Sequence, residues 1–293
     1  MDGSPYSGWL ARCRFPNPPA SVVCAVSGGA DSSALAILAV ATGLTVRIMH
    51  VDHGLRSTVE AAAEAAAVGD LGARLGVPVE VVTVTVSADR NVEARARAAR
   101  YAALPAGALT GHTLDDQLET VLLQLCRGGG VDALAGIRPE GRPILQLRRE
   151  ETEAVCALFG HVPVVDPSNA LSVHRRNRVR AEVVPLLNQI FERDVAPVVA
   201  RASGIVAQER DLLDRLASEI DVTDVPRAKS TELPLLRRAV RHWLHDGHPP
   251  DAAAVDRVIE VILGDRRATE VEGGRRVRRS AGRLYLEHTD GGG

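Results

Sequence analysis

The sequence predicts an α/β fold: an open parallel sheet with helices on both faces, followed by a smaller helical domain with a short β-hairpin. Three observations carry this. Apolar, β-branched runs alternate with helix-length segments from residue 21 to residue 126, one of those runs feeds a glycine turn that opens a helix, and the alternation stops near residue 150. A chain that alternates strand and helix builds parallel strands, because each must return to the same edge by a crossover.

Taken in order, strands are expected over 21–26, 45–51, 77–86 and 108–111, with helices over 33–40, 59–75, 91–104 and 113–126 between and after them. Only nine residues separate Tyr101 from Gly111, so the fourth strand is expected to be thin or displaced. Further on, helices are expected over 151–159, 180–191 and 195–217. A polar stretch over 221–230 with Pro226 reads as a linker, helices follow over 233–245 and 251–263, and 269–287 turns at Gly273-Gly274 and again at Ser280-Ala-Gly282.

Composition narrows the function. An apolar content of 45% supports a real core, while 3% aromatics leave too few rings for a surface that stacks bases. Contact with nucleic acid would therefore rest on charge. The formal net charge is −2, yet arginines cluster at Arg175, Arg176, Arg178 and Arg180, and again at Arg275, Arg276, Arg278, Arg279 and Arg283. Cys13, Cys24, Cys126 and Cys156 form no Cys-x-x-Cys pair, against a zinc ribbon or an iron–sulfur site. No apolar run approaches the length of a membrane span and the first residues lack an apolar signal core, so no membrane role and a cytoplasmic location are expected.

The run Ser27-Gly-Gly-Ala-Asp-Ser32 sits between the first strand and its helix. A strand, a glycine turn and a helix N-terminus together aim backbone N–H groups at a phosphate, and Ser27, Ser32 and Ser33 add hydroxyls. The chain's only lysine is Lys229, so this is not a Walker A loop. The six residues resemble the PP-loop of the ATP pyrophosphatase superfamily, whose members cleave ATP between the α- and β-phosphates.

A second block is Gly111-His-Thr-Leu-Asp-Asp-Gln-Leu-Glu-Thr120. On a helical period Leu114, Leu118, Val121 and Leu122 share one face, and His112, Asp116 and Glu119 gather on the other, away from the core. Thr113 and Asp116 also have the spacing of a capping box. His50-Val-Asp-His-Gly-Leu-Arg56 closes the second strand; alternation sends His50 and Asp52 to one face and His53 to the other, which disfavours a shared metal ion. Asn91 to Tyr101 sets Glu93, Arg97, Arg100 and Tyr101 on one helical stripe, and Arg127-Gly-Gly-Gly130 and Asp166-Pro-Ser-Asn169 read as loops.

In order and wording these blocks are similar to the tRNA(Ile)-lysidine synthetase family over residues 20–190; one departure is Gly129, where the family more often has serine. The resemblance implies a catalytic domain over 18–190, a connecting long helix over 191–220 and a substrate-binding part over 221–293. It also implies ATP-dependent ligation of free L-lysine to C2 of the wobble cytidine of tRNA(Ile) with a CAU anticodon, through an adenylated cytidine, with ATP and Mg²⁺. On that reading Ser27, Gly28, Gly29, Ala30, Asp31, Ser32 and Ser33 bind the nucleotide, with His50 and Asp52 at the strand end beside the nucleoside. Asp31 holds Mg²⁺, Arg97 and Arg100 stabilise phosphate charge, and Asp116 and Glu119 grip the lysine cation with His112 beside them. Arg176, Arg178, Arg180, Arg275, Arg276, Arg278 and Arg279 contact tRNA. A tRNA thiolase of the same superfamily and a non-catalytic nucleotide- or RNA-binding module are the alternatives, and a homodimer is left open.

Overall fold

The computed structural model describes residues 4–52, 54, 58–85, 92–164, 175–248 and 250–288, without the side chains of 58, 92–94 and 97. Expectations for His53, Arg56, Asn91 and Asp166 to Asn169, and for the side chains of Glu93 and Arg97, fall outside what is described. The chain divides into two compact units, Met1–Gly204 and Ile205–Gly293.

In the first unit, a short helix α1 (Ser7–Leu10) precedes β1 (Ser21–Ala25), α2 (Ala30–Ala41), β2 (Thr45–Asp52), α3 (Thr58–Leu75), β3 (Val79–Thr83), α4 (Val92–Ala103), β4 (Leu109–Thr110) and α5 (Leu114–Leu125). The strands form one parallel sheet in the order β3-β2-β1-β4. Cys24 lies opposite both Ile48 of β2 and Leu109 of β4, so β4 is thin, as the short 102–110 segment predicts, but not displaced. Connections run outward from β1 to β3 and then cross to the other side of β1. The switch point therefore lies between β1 and β4, where open α/β sheets bind ligands.

Buried Leu35, Ile37 and Leu38 of α2, Ile48 of β2 and Leu71 of α3 form the core over the sheet, joined by Ile144 and Leu147. Helix α7 (Arg149–Phe159), which follows a single turn α6 (Val131–Leu134), lies along α2 and adds Val155 and Cys156 to that core. Glycine at 129 has a steric reason: a Cβ there would come within 2.3 Å of the Ala133 Cβ and 2.9 Å of the Gln124 carbonyl oxygen.

The helix expected over 180–191 begins earlier. It comprises α8 (Arg175–Arg178), a π-helical turn at Val179–Val183, and α9 (Val184–Ile190). Leu114 and Leu118 of α5 pack on Val184 and Leu187 of α9 and on Val195 and Ala196 at the start of α10 (Ala196–Ser218). So α5 buries its apolar stripe against helices, which turns its polar side toward the sheet's carboxyl end.

The second unit contains α11 (Val225–Lys229), α12 (Leu233–Leu244), α13 (Ala252–Leu263) and the strands β5 (Ala268–Val271), β6 (Arg275–Ser280) and β7 (Arg283–His288). The strands form an antiparallel sheet in chain order, one strand more than a hairpin. The stretch 221–230 is not a linker. Val222, Val225 and Ala228 are buried in this unit's own core with Leu236, Val240, Val258 and Ile262, and Asp224 caps α11 through the Arg227 N–H. Polar composition hid three apolar positions at helical spacing.

Candidate active site

The loop after β1 closes on itself. The Ser27 N–H donates to Ser32 Oγ at 3.1 Å, Ser32 Oγ donates to the Gly29 carbonyl at 3.0 Å, and the buried Ser33 hydroxyl meets the Gly28 carbonyl at 3.5 Å. The serine hydroxyls thus brace the loop, and the phosphate donors left are the first-turn N–H groups of α2, which have no intrahelical acceptor. Of the two glycines only Gly28 has positive φ, at 91°; Gly29 is an extended N-cap at −73°. The Gly28 carbonyl also accepts from the Val164 N–H at 3.0 Å. Beneath the loop, His50 is buried and its Nδ1 lies 2.8 Å from the Val26 carbonyl, while Asp52 accepts from the Gly54 N–H at 2.9 Å. Both brace strand ends.

The end of β4 is pressed onto this loop. A Cβ on Gly111 would fall 2.7 Å from the Asp31 carbonyl oxygen and 2.9 Å from the Ser32 Cα, so only glycine lets the Gly111 to Thr120 block approach so closely. His112 Nδ1 lies 3.0 Å from Thr110 Oγ1, whose proton is directed at the Gly141 carbonyl. The capping box forms: Thr113 N–H donates to Asp116 Oδ2 at 2.9 Å, and Thr113 Oγ1 accepts from the Asp116 N–H at 3.5 Å. Asp116 Oδ1 lies outside the cap, 3.3 Å from Arg149 Nη2, so cap and site share one carboxylate.

Glu119 lies off the apolar stripe, as its spacing predicts, but it is not solvent-facing, for it is 1% exposed. Three arginines cover it. Arg180 Nε donates to Oε1 at 2.6 Å and Nη2 to Oε2 at 3.1 Å, Arg176 Nε lies 3.0 Å from Oε2, and Arg149 Nη1 is 3.4 Å from Oε1. The Arg176 Nε–H is not aimed at the carboxylate and is a buried donor with no acceptor, while its Nη2 donates to Thr120 Oγ1 at 2.7 Å. Arg176 and Arg180 thus point into this site, and Arg178 pairs with Glu182 on the surface. Arg100 is half-buried near the end of α4.

Two residues that the motifs did not flag organise the site. Arg148 holds Asp115, with Nη2 at 2.8 Å from Oδ1, and also Asp194, while the Arg149 N–H donates to Asp115 Oδ2 at 2.8 Å. Burial raises the Asp115 carboxyl, but these bonds outweigh it and hold its pKa below the ordinary value. Arg149 reaches three carboxylates at once: Asp31 Oδ2 at 3.3 Å, Asp116 Oδ1 at 3.3 Å and Glu119 Oε1 at 3.4 Å. The Thr152 hydroxyl donates to the other Asp31 oxygen. Burial raises the Asp31 pKa, opposed by Arg149 and Thr152. A signal existed, since two arginines at a helix N-terminus oppose the macrodipole and need a partner elsewhere.

A glycine loop on a helix N-terminus at the switch point fits a nucleotide's phosphates, and Asp31 fits a magnesium ion that takes one carboxylate and completes its shell with phosphate and water. Among the described residues no group of three or more His, Cys, Asp or Glu side chains is placed to hold a metal, so Asp31 would act as a single protein ligand. Burial pushes the Cys24 and Cys156 thiols up to about 12, which removes them as nucleophiles.

Residues 10–187 match the family described as a PP-loop domain, and residues 225–285 match the TilS substrate binding domain. Fold and loop together define an ATP-using PP-loop protein. The chain is 40% identical over 273 residues to the tRNA(Ile)-lysidine synthase of Nocardia farcinica, covering 87% of this chain and 84% of that one. It is 40% identical to that of Salinispora tropica, covering 91% and 90%, and 36% identical to that of Cutibacterium acnes, covering 90% of each. The chain belongs to the tRNA(Ile)-lysidine synthase family. The fold is shared with the U34-tRNA thiolase NcsA from Methanococcus maripaludis at a TM-score of 0.56 and 14% identity, covering 69% of this chain and 78% of that one.

Proposed function

We propose that this protein is a ligase that joins free lysine to C2 of the wobble cytidine of tRNA(Ile) with a CAU anticodon, consuming ATP and releasing AMP and pyrophosphate. The carrying observation is that one guanidinium, that of Arg149, spans from the loop aspartate Asp31 to Asp116 and Glu119. A phosphate cradle and an acidic seat for a cation thus lie side by side. Cytosine O2 attacks the α-phosphate while the loop N–H groups hold the departing pyrophosphate, and the lysine amine then displaces AMP from C2.

A bound magnesium ion would be held by Asp31 and would neutralise phosphate charge. Arg97 and Arg100 supply cationic charge to the same end. The substrate ammonium, with a pKa of about 10.4, must lose a proton before it attacks, and we assign His112, beside the seat, to take it. Asp116 offers Oδ1 to that ammonium. Residues 18–190 carry catalysis, 191–220 connect, and 221–293 bind tRNA. No helix among the described residues is long and apolar enough to cross a membrane. A cytoplasmic location matches a tRNA substrate, and a homodimer is tested by light scattering.

The test is AMP release from ATP with the tRNA transcript and lysine, each omitted in turn. AMP should form only when ATP, tRNA and lysine are all present, and lysine should be incorporated mole for mole. AMP turnover without lysine, or lysine transfer without tRNA, would refute the assignment.

A further inference from the structure

Resting on the reading above, the geometry separates two neighbouring arginines by how they hold their partners. Arg148 grips Asp115 at 2.8 Å and Arg180 grips Glu119 at 2.6 Å, distances of strong charge-assisted bonds. Arg149 divides itself among three carboxylates with none nearer than 3.3 Å. A cation shared loosely among three anions is easily displaced by another cation. It also neutralises charges that would otherwise repel each other across the gap from α2 to α5.

We propose that Arg149 is the resident counter-ion of the lysine seat, competing with the substrate ammonium for Asp116 while tying Asp116 and Glu119 to Asp31. It is a positioning residue, since it acts through the three carboxylates. When an ammonium engages Asp116, Arg149 retains Asp31 and Glu119 as partners, so its guanidinium moves aside without losing its charge compensation. Burial disfavours the Arg149 cation, but its carboxylate neighbours outweigh burial and keep it charged throughout.

Competition makes a directional prediction that a purely structural role does not. Titrating free lysine calorimetrically into the protein without nucleotide or metal, Arg149→Gln should bind it roughly tenfold more tightly than the parent, the change one charged hydrogen bond is worth. Arg149→Lys, whose single ammonium cannot span three carboxylates, should fall between them and reads the effect if the glutamine variant does not fold. In initial rates both variants should show a lower KM for lysine together with a lower kcat, because Asp31 loses its tie. Weaker or unchanged lysine binding in both variants overturns the proposal. Parent protein that makes no lysidine refutes the functional reading instead, and the two failures are separate.

Discussion

Residues 175–180 and 275–279 each place four arginines in a short span, and as strings they suggest the same use, a surface for tRNA phosphates. Local geometry sorts them differently. In the first span the helical spacing of four brings Arg176 and Arg180 onto one buried carboxylate, Glu119, and leaves Arg178 outside with Glu182. In the second, strand alternation sends Arg275 and Arg279 inward and Arg276 outward. Arg275 Nη1 donates to the Leu244 carbonyl at the end of α12, and Arg279 Nη1 to the Ile262 carbonyl at the end of α13. Gly264 gives Arg279 room, since a Cβ there would sit 3.0 Å from Nη1. Half of each cluster is thus committed to fixed acceptors, a buried carboxylate in one unit and helix C-terminal carbonyls in the other. A charge cluster in sequence is therefore an upper bound on the charge a partner can meet.

The strongest way to break this contrast is to remove Glu119. Glu119→Ala leaves three arginines without their shared anion, and the first unit should lose about 3 kcal/mol in urea denaturation along with lysine-dependent AMP release. A variant that unfolds at the parent's urea midpoint would mean that the arginines are compensated elsewhere.

Next in size is Arg275→Ala. It removes the bond to Leu244, a bond to the Glu272 carbonyl and the pair with Asp246, all at a buried side chain, and should destabilise the second unit by about 2 kcal/mol. Its effect on tRNA affinity should be no larger than that loss of fold explains.

Asp115 gives a pH-dependent counterpart, an arginine pair at a helix start rather than a helix end. Its folded pKa is depressed, so the stability it contributes is present above the ordinary carboxylate value and is lost as pH falls through the depressed one. Asp115→Asn should cost about 1 kcal/mol at neutral pH and flatten the acid limb of a Tm-against-pH curve. An acid limb as steep as the parent's would assign it to other carboxylates.

The smallest effect on the fold, and the sharpest on RNA, is expected from Arg276→Ala with Arg278→Ala. Arg276 is exposed, and Arg278 sits 4.6 Å over the Tyr285 ring beside Glu287. The double variant should keep its Tm while the salt slope of tRNA binding falls by about one unit for each phosphate that the ribbon no longer neutralises. An unchanged slope would remove this ribbon from the RNA surface.

By itself the sequence determined the alternation of strand and helix, the glycine loop after β1, the cap at Thr113 and the thinness of β4. Each depends on residues within a few positions of one another, where backbone geometry converts spacing directly into direction. It also singled out Asp31, His112, Asp116 and Glu119 as candidates, although not their exposure. Tertiary structure alone decided that Glu119 is buried, that 221–230 joins a core, and that Arg148 and Arg149 belong to the site. Arg149 meets Glu119 across 30 residues and Asp31 across 118. No local period connects such distances, because they are set by α7 lying along α2 and by β4 crossing to the far side of β1, where Gly111 lets two backbones touch.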